Sequence, residues 1–476
     1  MSDEWEATHH VSDEMQRAFV QASGDANPLH TDPIVARRLP FGRVAVHGMH
    51  LALDALDRLA SHISHRPQRV RCTFRRSVGV DDRLVTRIAT VSDLEARITI
   101  DHDVWRVADL RIDLAPSSSP STASGNHGDG PGVGRLTRRA DAPVDLPVSA
   151  LPGLDGAIDV AADVPELRRR FPHLVGALGA LGTAELVSLT RLVGMHVPGR
   201  HSLFSSFDVQ LNPVAPRPAT MPAHLGYAVT RFDDRFAKAT IDVDGPTLSG
   251  TVVAFVRPAP VQPTVGSARP RSDEFTGQRW LVIGGSRGLG ATASMLLAAG
   301  GADVRLTYRI GADDAERLST TIGAAAHRLD VTDPQDDMTS LLADGWHPTH
   351  LAYFASPPIF VGSAGAYSTE LERRFAAVYL DGFDAVLENL PVEHLRCVLW
   401  PSSEAVDDDV PGLSEYAAAK RRGEARCAAL AREHPDMTVA TPRFPRLRTD
   451  QTASYLPVDY DDAPTTVLAA LRVFSG

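Results

Sequence analysis

The chain has 476 residues, 43% of them hydrophobic and 22% charged, which is ordinary for globular protein and long enough for about two to four domains. Its net charge of −11 excludes the basic footprint that a nucleic-acid-binding protein needs. The acidic N-terminus does not resemble a secretory signal, and no apolar run approaches the length of a membrane span. Three isolated cysteines without metal-ligand spacing indicate a reducing cytoplasm and no metal site.

The most informative motif lies at residues 23–30, which read Ser-Gly-Asp-Ala-Asn-Pro-Leu-His. It places Asp25 and His30 on either side of Pro28, which prevents a regular helix, while Asn27 can bond the local backbone. On an unbroken helix the two side chains would diverge by roughly 140°. With the turn that Pro28 forces, we predict that they converge. Such a pair can hold a water molecule and move protons in both directions, as hydration or dehydration of a double bond requires.

This motif resembles the signature of the R-specific enoyl-CoA hydratases, the MaoC-like branch of the hot-dog fold. The resemblance extends from Phe19 to Gly48. It implies that Asp25 and His30 are the catalytic pair, and that Asn27 and Gly48 lie where the substrate oxyanion binds. In particular, a backbone N–H near Gly48, at the start of an apolar helix, would polarise the thioester carbonyl.

The remainder of residues 1–115 has the order of a hot-dog fold, in which one helix is followed by a strand meander. The apolar run after Gly48 predicts the helix. Alternation of apolar and polar residues predicts half-buried strands at Val70–Phe74, Leu84–Ile88 and Trp105–Ile112. Residues 116–146 contain almost no large apolar residues, so we predict a flexible linker there.

Residues 147–256 repeat this order without repeating the motif. Ala180–Val197 is apolar at helical spacing and ends at Pro198-Gly199, and strands are predicted to follow. We therefore predict a second hot-dog domain that forms a double hot dog with the first. Since it lacks the Asp-x-Asn-Pro-x-His pattern, this half is expected to be non-catalytic. Two interpretations remain open: it shapes a tunnel for the acyl tail, or it is a scaffold alone.

A Pro-rich linker at 257–277 precedes a third segment, 278–476, in which strands and helices alternate. The buried strand Arg279–Ile283 leads into a glycine-rich loop and an Ala/Leu-rich helix, which is the dinucleotide-binding fingerprint in its required context. The sequence thus predicts an α+β double hot-dog module followed by an α/β doubly wound Rossmann domain. Cofactor contacts are predicted from the loop, at Gly284, Ser286, Arg287, Gly288, Leu289 and Gly290.

A reductase constellation follows in the same segment. Tyr416 and Lys420 share one face of a predicted helix, and Ser403 follows an apolar strand, at the edge where doubly wound sheets bind ligands. Tyr416 would donate a proton to a carbonyl and Ser403 would hold the carbonyl oxygen. Lys420 would lower the pKa of Tyr416 and bind the nicotinamide ribose. With the glycine-rich loop, these residues resemble the short-chain dehydrogenase/reductase family.

Cofactor preference is predicted from two cations. Arg287 in the loop and Arg309 after the second strand would attract a 2′-phosphate, so NADPH is expected. Asp330-Val331 matches the family's adenine-binding pair. The chain departs from the family at two places: Tyr353–Pro357 stands where Asn-Asn-Ala-Gly is usual, and Tyr379 takes the position of the tetrad Asn, which organises a water beside the Lys.

The two predicted activities share one intermediate, a 3-hydroxyacyl thioester. NADPH favours reduction of a 3-ketoacyl thioester followed by dehydration to a trans-2-enoyl product, on acyl carrier protein or CoA, in polyketide or fatty-acid-like biosynthesis. Two alternatives remain: the degradative hydratase/dehydrogenase direction with NAD, and a dehydratase joined to a non-catalytic reductase-like module that docks a carrier protein. A homodimer and a ketosynthase partner are expected, with no nucleic acid and no membrane.

Overall fold

The computed structural model describes residues 4–38, 41–116, 132–136, 142–213, 221–360, 367–408, 410–453 and 458–475. The chain forms two compact units: unit 1 comprises Met1–Arg37 and Arg43–Ala259, and unit 2 comprises Arg38–Gly42 and Pro260–Gly476. The division falls inside the predicted Pro-rich linker. Phe275, near the end of that linker, is fully buried and its N–H donates to the carbonyl of Gly300, so this part belongs to unit 2.

One antiparallel sheet extends through unit 1. Its strands are β1 (Glu4–His9), β2 (Arg66–Phe74), β3 (Leu84–Ser92), β4 (Glu95–His102), β5 (Trp105–Ala115), β6 (Asp155–Asp159), β7 (Ser202–Leu211), β8 (His224–Asp233), β9 (Lys238–Asp244) and β10 (Leu248–Val256). Their order is β1-β3-β4-β5-β2-β7-β10-β9-β8-β6. The sheet has two halves with the same strand order. Read from the outer edge inward, the first half is β1-β3-β4-β5-β2 and the second is β6-β8-β9-β10-β7, and the halves meet where β2 pairs with β7.

The helices of unit 1 are α1 (Asp13–Ser23), α2 (Pro28–Thr31), α3 (Pro33–Ala36), α4 (Gly48–His62), α5 (Val164–Arg170) and α6 (Pro172–Arg191). α4 and α6 hold equivalent places, each between the first and second strand of its half. α4 buries Leu51, Leu53 and Leu56 almost completely, and each such side chain contributes about 1.5–3 kcal/mol. α6 begins at Pro172, but its backbone leaves helical geometry at Gly179, where φ is 75° and ψ is 169°, so its second part begins where the sequence predicted a helix, at Ala180.

The end of α6 corrects one expectation from the sequence. The helix continues into a π-helical turn at Leu192–His196, so that Pro172–His196 forms a helical stretch of 25 residues with a kink at Gly179. This stretch has the length and apolarity of a membrane span, which the sequence was predicted to lack. As evidence for a membrane it is weak, because 67% of its most apolar stretch is buried inside the protein. A helix that is apolar all round is also what a protein core requires.

The predicted linker at 116–146 is described only in part, since residues 117–131 and 137–141 lie outside the described residues. The described remainder differs from a free linker. Gly134 forms a β-bridge with Ala161, and the N–H of Val144 donates to the carbonyl of Met195 at 2.9 Å. Backbone hydrogen bonds therefore attach these residues to the second half of unit 1, a pairing that local composition does not encode.

Unit 2 is built on a parallel sheet. Its strands are β11 (Arg279–Ile283), β12 (Asp303–Tyr308), β13 (Ala325–Arg328), β14 (His350–Tyr353), β15 (Cys397–Leu399) and β17 (Thr438–Ala440), with a short parallel pair β16 (Ser402–Ser403) and β18 (Arg443–Phe444). The sheet order is β13-β12-β11-β14-β15-β17, the chain order of a Rossmann fold. It confirms the predicted doubly wound sheet and places a ligand crevice at the carboxyl ends of β11 and β14.

The helices of unit 2 lie between these strands in the chain, except that α13 follows the last strand. They are α7 (Gly288–Ala299), α8 (Ala312–Ile322), α9 (Gln335–Leu341), α10 (Thr369–Ala376), α11 (Gly382–Glu388), α12 (Ser414–Glu433) and α13 (Ala463–Leu471). A π-helical turn at Ala377–Asp381 joins α10 to α11. Since α7 follows β11 and α12 follows β15 and β16, both helices begin at the edge where the crevice lies.

Candidate active sites

Asp25 lies in the short connection between α1 and α2, which helix caps shape on both sides. α1 ends at Gly24, whose φ of 70° favours glycine. α2 begins at Pro28 with Asn27 as its N-cap, and the Oδ1 of Asn27 accepts from the N–H of Leu29 at 3.1 Å. The chain between the caps is non-helical, and Asp25 is only 1% exposed.

Asp25, His30 and His47 meet inside unit 1. One nitrogen from each imidazole and one carboxylate oxygen of Asp25 lie within 4.8 Å of one another. The two imidazole rings stack with their centroids 3.7 Å apart. The structure thus brings together the Asp25 and His30 that the motif singles out. It adds His47, which sequence reasoning missed although it stands next to Gly48 in the same stretch of resemblance.

Both oxygens of the Asp25 carboxyl group have hydrogen-bond donors. The hydroxyl of Thr190 donates to Oδ2 at 2.6 Å, and the N–H of Asn27 donates to Oδ1 at 3.2 Å. His47 Nε2 lies 3.5 Å from Oδ2. Burial raises the pKa of Asp25, and it outweighs His30 and these hydrogen bonds, which act to lower it. The site therefore favours a carboxyl group that retains its proton.

His30 is held as a neutral base. Its Nδ1 lies 2.7 Å from the carbonyl oxygen of Ala45. Because a carbonyl only accepts, Nδ1 carries the hydrogen, and the lone pair is on Nε2. Burial lowers the pKa of His30 by more than the neighbouring Asp25 carboxylate raises it. A neutral imidazole with a free Nε2 lone pair is suited to accept a proton.

Gln16 on α1 sets the tautomer of His47. Its Nε2 donates to the carbonyl of Ala45 at 3.1 Å and to Nδ1 of His47 at 3.0 Å. The carbonyl requires a donor, so the amide nitrogen must face this way and Nδ1 of His47 must accept. His47 then carries its hydrogen on Nε2, which donates to the carbonyl of Asp25 at 3.1 Å. Sequence spacing offered no signal for Gln16.

The same three side chains also meet the distance requirement of a metal site, whereas none was expected from the sequence. A metal needs a lone pair from each imidazole. His30 offers one on Nε2, but His47 uses its lone pair to accept from Gln16. These tautomers fit proton transfer better than metal binding.

Asn27 requires a correction. The resemblance implied that it binds the substrate oxyanion, but its amide is already occupied. Nδ2 donates to the carbonyl of Gly194 at 2.7 Å and lies 3.3 Å from that of Gly199, while Oδ1 caps α2. The side chain is 2% exposed. Asn27 therefore ties the loop that carries Asp25 to the second half of unit 1.

Gly48 is the first residue of α4, with His47 as the N-cap. The first amides of a helix have no partner within the helix, so the N–H of Gly48 is available to an oxyanion. A Cβ at this position would lie 3.0 Å from the ring of Phe74, which is tighter than ordinary contact. Glycine thus keeps the aromatic ring close to the end of the helix.

The second half of unit 1 also reaches this site. Thr190 on α6 bonds Asp25 across 165 positions of the chain. Gly194, in the π-helical turn after α6, lies so near that a Cβ there would overlap the Asp25 carboxylate. Neither residue belongs to a local pattern, so sequence reasoning missed both.

In unit 2 the glycine-rich loop connects β11 to α7. Gly284 has a φ of 71°, and its N–H donates to Oγ1 of Thr307 at 3.0 Å. A Cβ on Gly290 would overlap the carbonyl of Gly284, so glycine permits the close packing of α7 on the loop. At Gly288 the nearest atom to a Cβ would be Oδ1 of Asp450 at 4.0 Å. This side of the loop is open.

The two arginines predicted to favour NADPH differ in how available they are to a phosphate. Arg309 is exposed after β12 and has no ion pair with any residue that the structure describes. Arg287 lies 3.3 Å from the carboxylate of Asp450, whose negative charge partly neutralises the guanidinium group. In the same loop, Ser286 is 9% exposed and Leu289 packs against the hydrophobic core. Arg309 is therefore the more available of the two for a phosphate.

The predicted adenine pair follows β13. Oδ1 of Asp330 accepts from the N–H of Thr332 at 3.1 Å and from its hydroxyl at 2.7 Å. Burial acts to raise the pKa of Asp330, but these hydrogen bonds and nearby arginines outweigh it and keep that pKa below its ordinary value. Val331 is 7% exposed, and a Cβ on Gly382 would lie 3.0 Å from its side chain. Asp330 is therefore a charged acceptor.

Ser403, Tyr416 and Lys420 come together at the end of the sheet. Tyr416 and Lys420 lie one turn apart on α12, and the Tyr416 hydroxyl is hydrogen-bonded to Ser403. Burial raises the pKa of Tyr416 to about 12 despite that bond. Burial also lowers the pKa of Lys420 to about 7. Its Nζ donates to the carbonyl of Pro401 at 2.8 Å.

The two segments in which the chain departs from the reductase pattern are joined by a hydrogen bond. The hydroxyl of Tyr379, which stands at the tetrad Asn position, lies 2.6 Å from that of Ser356 in the segment Tyr353–Pro357. Nζ of Lys420 lies 4.0 Å from the centroid of the Tyr379 ring and 4.2 Å from that of Trp400. Two aromatic rings therefore lie against the ammonium group of Lys420.

Comparison with known proteins finds a family match in the N-terminal part of the chain. Residues 3–106 match the family profile described as MaoC like domain, which confirms the resemblance of the N-terminal part. Over 162 residues the chain is 29% identical to the cyclic-di-GMP-binding biofilm dispersal mediator protein of Escherichia coli K12, covering 33% of this chain and 68% of that protein.

Two solved structures are also similar. One is a short chain dehydrogenase from Salmonella enterica serovar Typhi CT18, with 17% identity, a TM-score of 0.39, and coverage of 44% of this chain and 93% of that one. The other is BdcA in complex with NADPH, with 24% identity, a TM-score of 0.37, and coverage of 43% and 88%. The Rossmann fold of unit 2 rests on its own strand order.

Proposed function

Since residues 3–106 carry a MaoC-like domain, we propose that unit 1 dehydrates 3-hydroxyacyl thioesters and that unit 2 is an NADPH-dependent ketoreductase that makes their hydroxyl group. The observation that carries the proposal is the buried pair of Asp25, with a raised pKa, and His30, with a lowered one. Environments that move two pKa values apart assign an acid and a base. The repeated strand order supports a double hot dog.

The dehydration uses the two groups in opposite senses. Nε2 of His30 takes the proton from Cα, and the C–H electrons form the double bond as the C–O bond breaks. Asp25 protonates the departing oxygen, which leaves as water. The N–H of Gly48 stabilises the enolate oxygen that develops on the thioester. Transfer of the proton from His30 back to Asp25 restores both groups, and a positioned acid or base contributes about 10²–10⁴-fold to the rate.

Unit 2 fits a dinucleotide because its loop packs closely at Gly290 and is open at Gly288. The loop would hold the pyrophosphate, Arg309 the 2′-phosphate, and Asp330-Val331 the adenine. NADPH supplies a hydride when it is bound. Tyr416 donates its phenolic proton to the ketone oxygen, and Ser403, its hydrogen-bond partner, orients that oxygen.

One observation favours a second candidate, a non-catalytic reductase-like module. Tyr379 and Trp400 cover Lys420, whose pKa of about 7 leaves it only partly charged at neutral pH. An uncharged Lys420 would not lower the pKa of Tyr416. Binding of a cofactor with hydroxyl acceptors near Nζ would reverse this, so the two candidates differ in whether NADPH is consumed.

The setting is also proposed. Acyl carrier protein or CoA would carry the substrate, in polyketide or fatty-acid-like biosynthesis, with a ketosynthase supplying the 3-keto group. The exposed Arg309 favours NADPH and reduction over the degradative direction with NAD. Three free cysteines suit a reducing cytoplasm, and a homodimer is expected for both folds.

The test is turnover by the purified chain given acetoacetyl-CoA and NADPH. We expect NADPH to be oxidised and crotonyl-CoA to form. Absorbance measures the loss of NADPH, and chromatography of the thioesters identifies the product. Accumulation of 3-hydroxybutyryl-CoA alone would contradict the dehydratase. Dehydration of added 3-hydroxybutyryl-CoA without any consumption of NADPH would favour the second candidate.

A further inference from the structure

Of three buried hydroxyl groups on α6, two donate to a carbonyl within the helix and the third donates outside it. Thr183 donates to the carbonyl of Gly179 at 2.9 Å, and Ser188 donates to that of Ala184 at 2.8 Å. Both bonds stay within the helix, as is common for such residues. Thr190 instead donates across the unit to Oδ2 of Asp25 at 2.6 Å. Its hydroxyl therefore acts on the carboxyl group of the first half rather than on its own helix.

Gly194 lies next to the same carboxyl group. It belongs to the π-helical turn after α6, a geometry often found at functional sites. Its carbonyl accepts from Nδ2 of Asn27 at 2.7 Å, and a Cβ on Gly194 would overlap the carboxylate of Asp25. The turn thus brings backbone from the second half into contact with the catalytic loop.

We propose that the second half of unit 1 supplies two positioning residues to the acid of the first half: Thr190, whose hydroxyl holds one oxygen of Asp25, and Gly194, whose missing side chain leaves room for it. The role of Asp25 as the acid rests on the proposed function. The second half is then more than a tunnel or a scaffold, because the acid is not fully held without it.

The hydroxyl of Thr190 has a defined electrostatic effect. A donor to a carboxylate favours its charged form and so opposes burial, which favours the neutral form. The other titratable groups that face Asp25 are His30 on α2, His47 at the start of α4 and Arg191 on α6. Without the hydroxyl, the carboxyl group holds its proton more tightly and loses one restraint on its orientation.

The experiment measures hydration of crotonyl-CoA across a pH series. For Thr190→Val we expect kcat to fall about tenfold or more with KM changed less than about twofold, and the pH limb governed by Asp25 to move up by about one unit. Thr190→Ser should restore most of both. Thr183→Val removes a matched hydroxyl from the same helix and should behave as the unaltered protein.

A second variant tests whether Asp25 needs the space that the missing side chain of Gly194 leaves. Gly194→Ala should reduce kcat by about a hundredfold or more, because its Cβ must displace the carboxylate. If Thr190→Val and Thr183→Val have the same rate and pH profile, the proposal is overturned for Thr190. An unchanged Gly194→Ala would overturn it for Gly194.

Thermal unfolding against pH separates this proposal from the proposed function. Because the pKa of Asp25 is raised in the folded state, stability falls as pH rises from the ordinary carboxyl range to the folded pKa. Thr190→Val should extend this fall to higher pH, and Thr183→Val should not. If no thioester is turned over but the shift appears, the proposed function fails and the hold of Thr190 on Asp25 stands. If turnover occurs and the shift is absent, the proposed function stands and the hold of Thr190 on Asp25 is overturned.

Discussion

The two candidate sites control protonation in different ways. In unit 1, a bond donated by Gln16 and one accepted by the carbonyl of Ala45 determine the tautomers of two imidazoles, and the hydroxyl of Thr190 donates to the carboxyl group of Asp25. In unit 2, Lys420 lies between aromatic faces with one carbonyl acceptor. Hydrogen bonds select protonation states atom by atom, whereas aromatic enclosure only disfavours charge. The first site is therefore arranged for proton transfer as it stands, and the second depends on what binds beside it.

Replacing the acid should give the largest contrast between the sites. Asp25→Asn keeps the shape but cannot donate a carboxyl proton, so formation of crotonyl-CoA from 3-hydroxybutyryl-CoA should fall about 10²–10⁴-fold. Reduction of acetoacetyl-CoA by the same variant is the internal control and should be unchanged. Dehydration within about tenfold of the unaltered protein would contradict the role of Asp25 as the acid.

The matching change in unit 2 is Tyr416→Phe. It removes the proton donor while keeping the ring, so NADPH-dependent reduction should fall about 10²–10⁴-fold and dehydration should persist. Tyr379→Phe is the matched control, since it keeps the ring over Lys420 and loses only the bond to Ser356. Equal effects of the two changes would mean that Tyr416 is not the donor.

A smaller effect is expected at the cofactor. Arg309→Asp replaces an exposed cation with an anion and should raise the KM for NADPH roughly tenfold to a hundredfold, with little change for NADH. Arg309→Lys keeps the charge and should retain the preference. A preference unchanged by Arg309→Asp would assign the 2′-phosphate to other residues.

The smallest effect concerns stability and pH. The pKa of Lys420 is about 7 in the folded protein, below its ordinary value of 10.5. Between these values the unfolded chain binds the extra proton, so this group makes stability rise with pH from about 7 upward. Relative to Lys420→Met, the melting temperature of unit 2 should therefore increase across that window, as calorimetry can measure. Parallel curves would show that Lys420 is charged in the folded state.

Much of the fold was readable in local patterns. Alternation predicted the strands near β2, β3 and β5, and the order of strand, glycine-rich loop and helix predicted the Rossmann sheet. β1 and β4 were missed, although Glu95–His102 alternates as regularly as the strands beside it and buries Ala96, Ile98 and Ile100. The attachment of Gly134 and the burial of Phe275 were missed because composition does not reveal long-range pairing.

By itself the sequence determined what depends on neighbours in the chain: the turn that brings Asp25 towards His30, the start of α4 at Gly48, and Tyr416 one turn before Lys420. The tertiary structure decided what depends on packing. It assigned Asn27 to the carbonyl of Gly194 instead of to a substrate, and it placed Thr190 on Asp25. The reason is physical: backbone spacing fixes local direction, but a buried polar group takes whichever partner the core brings within reach.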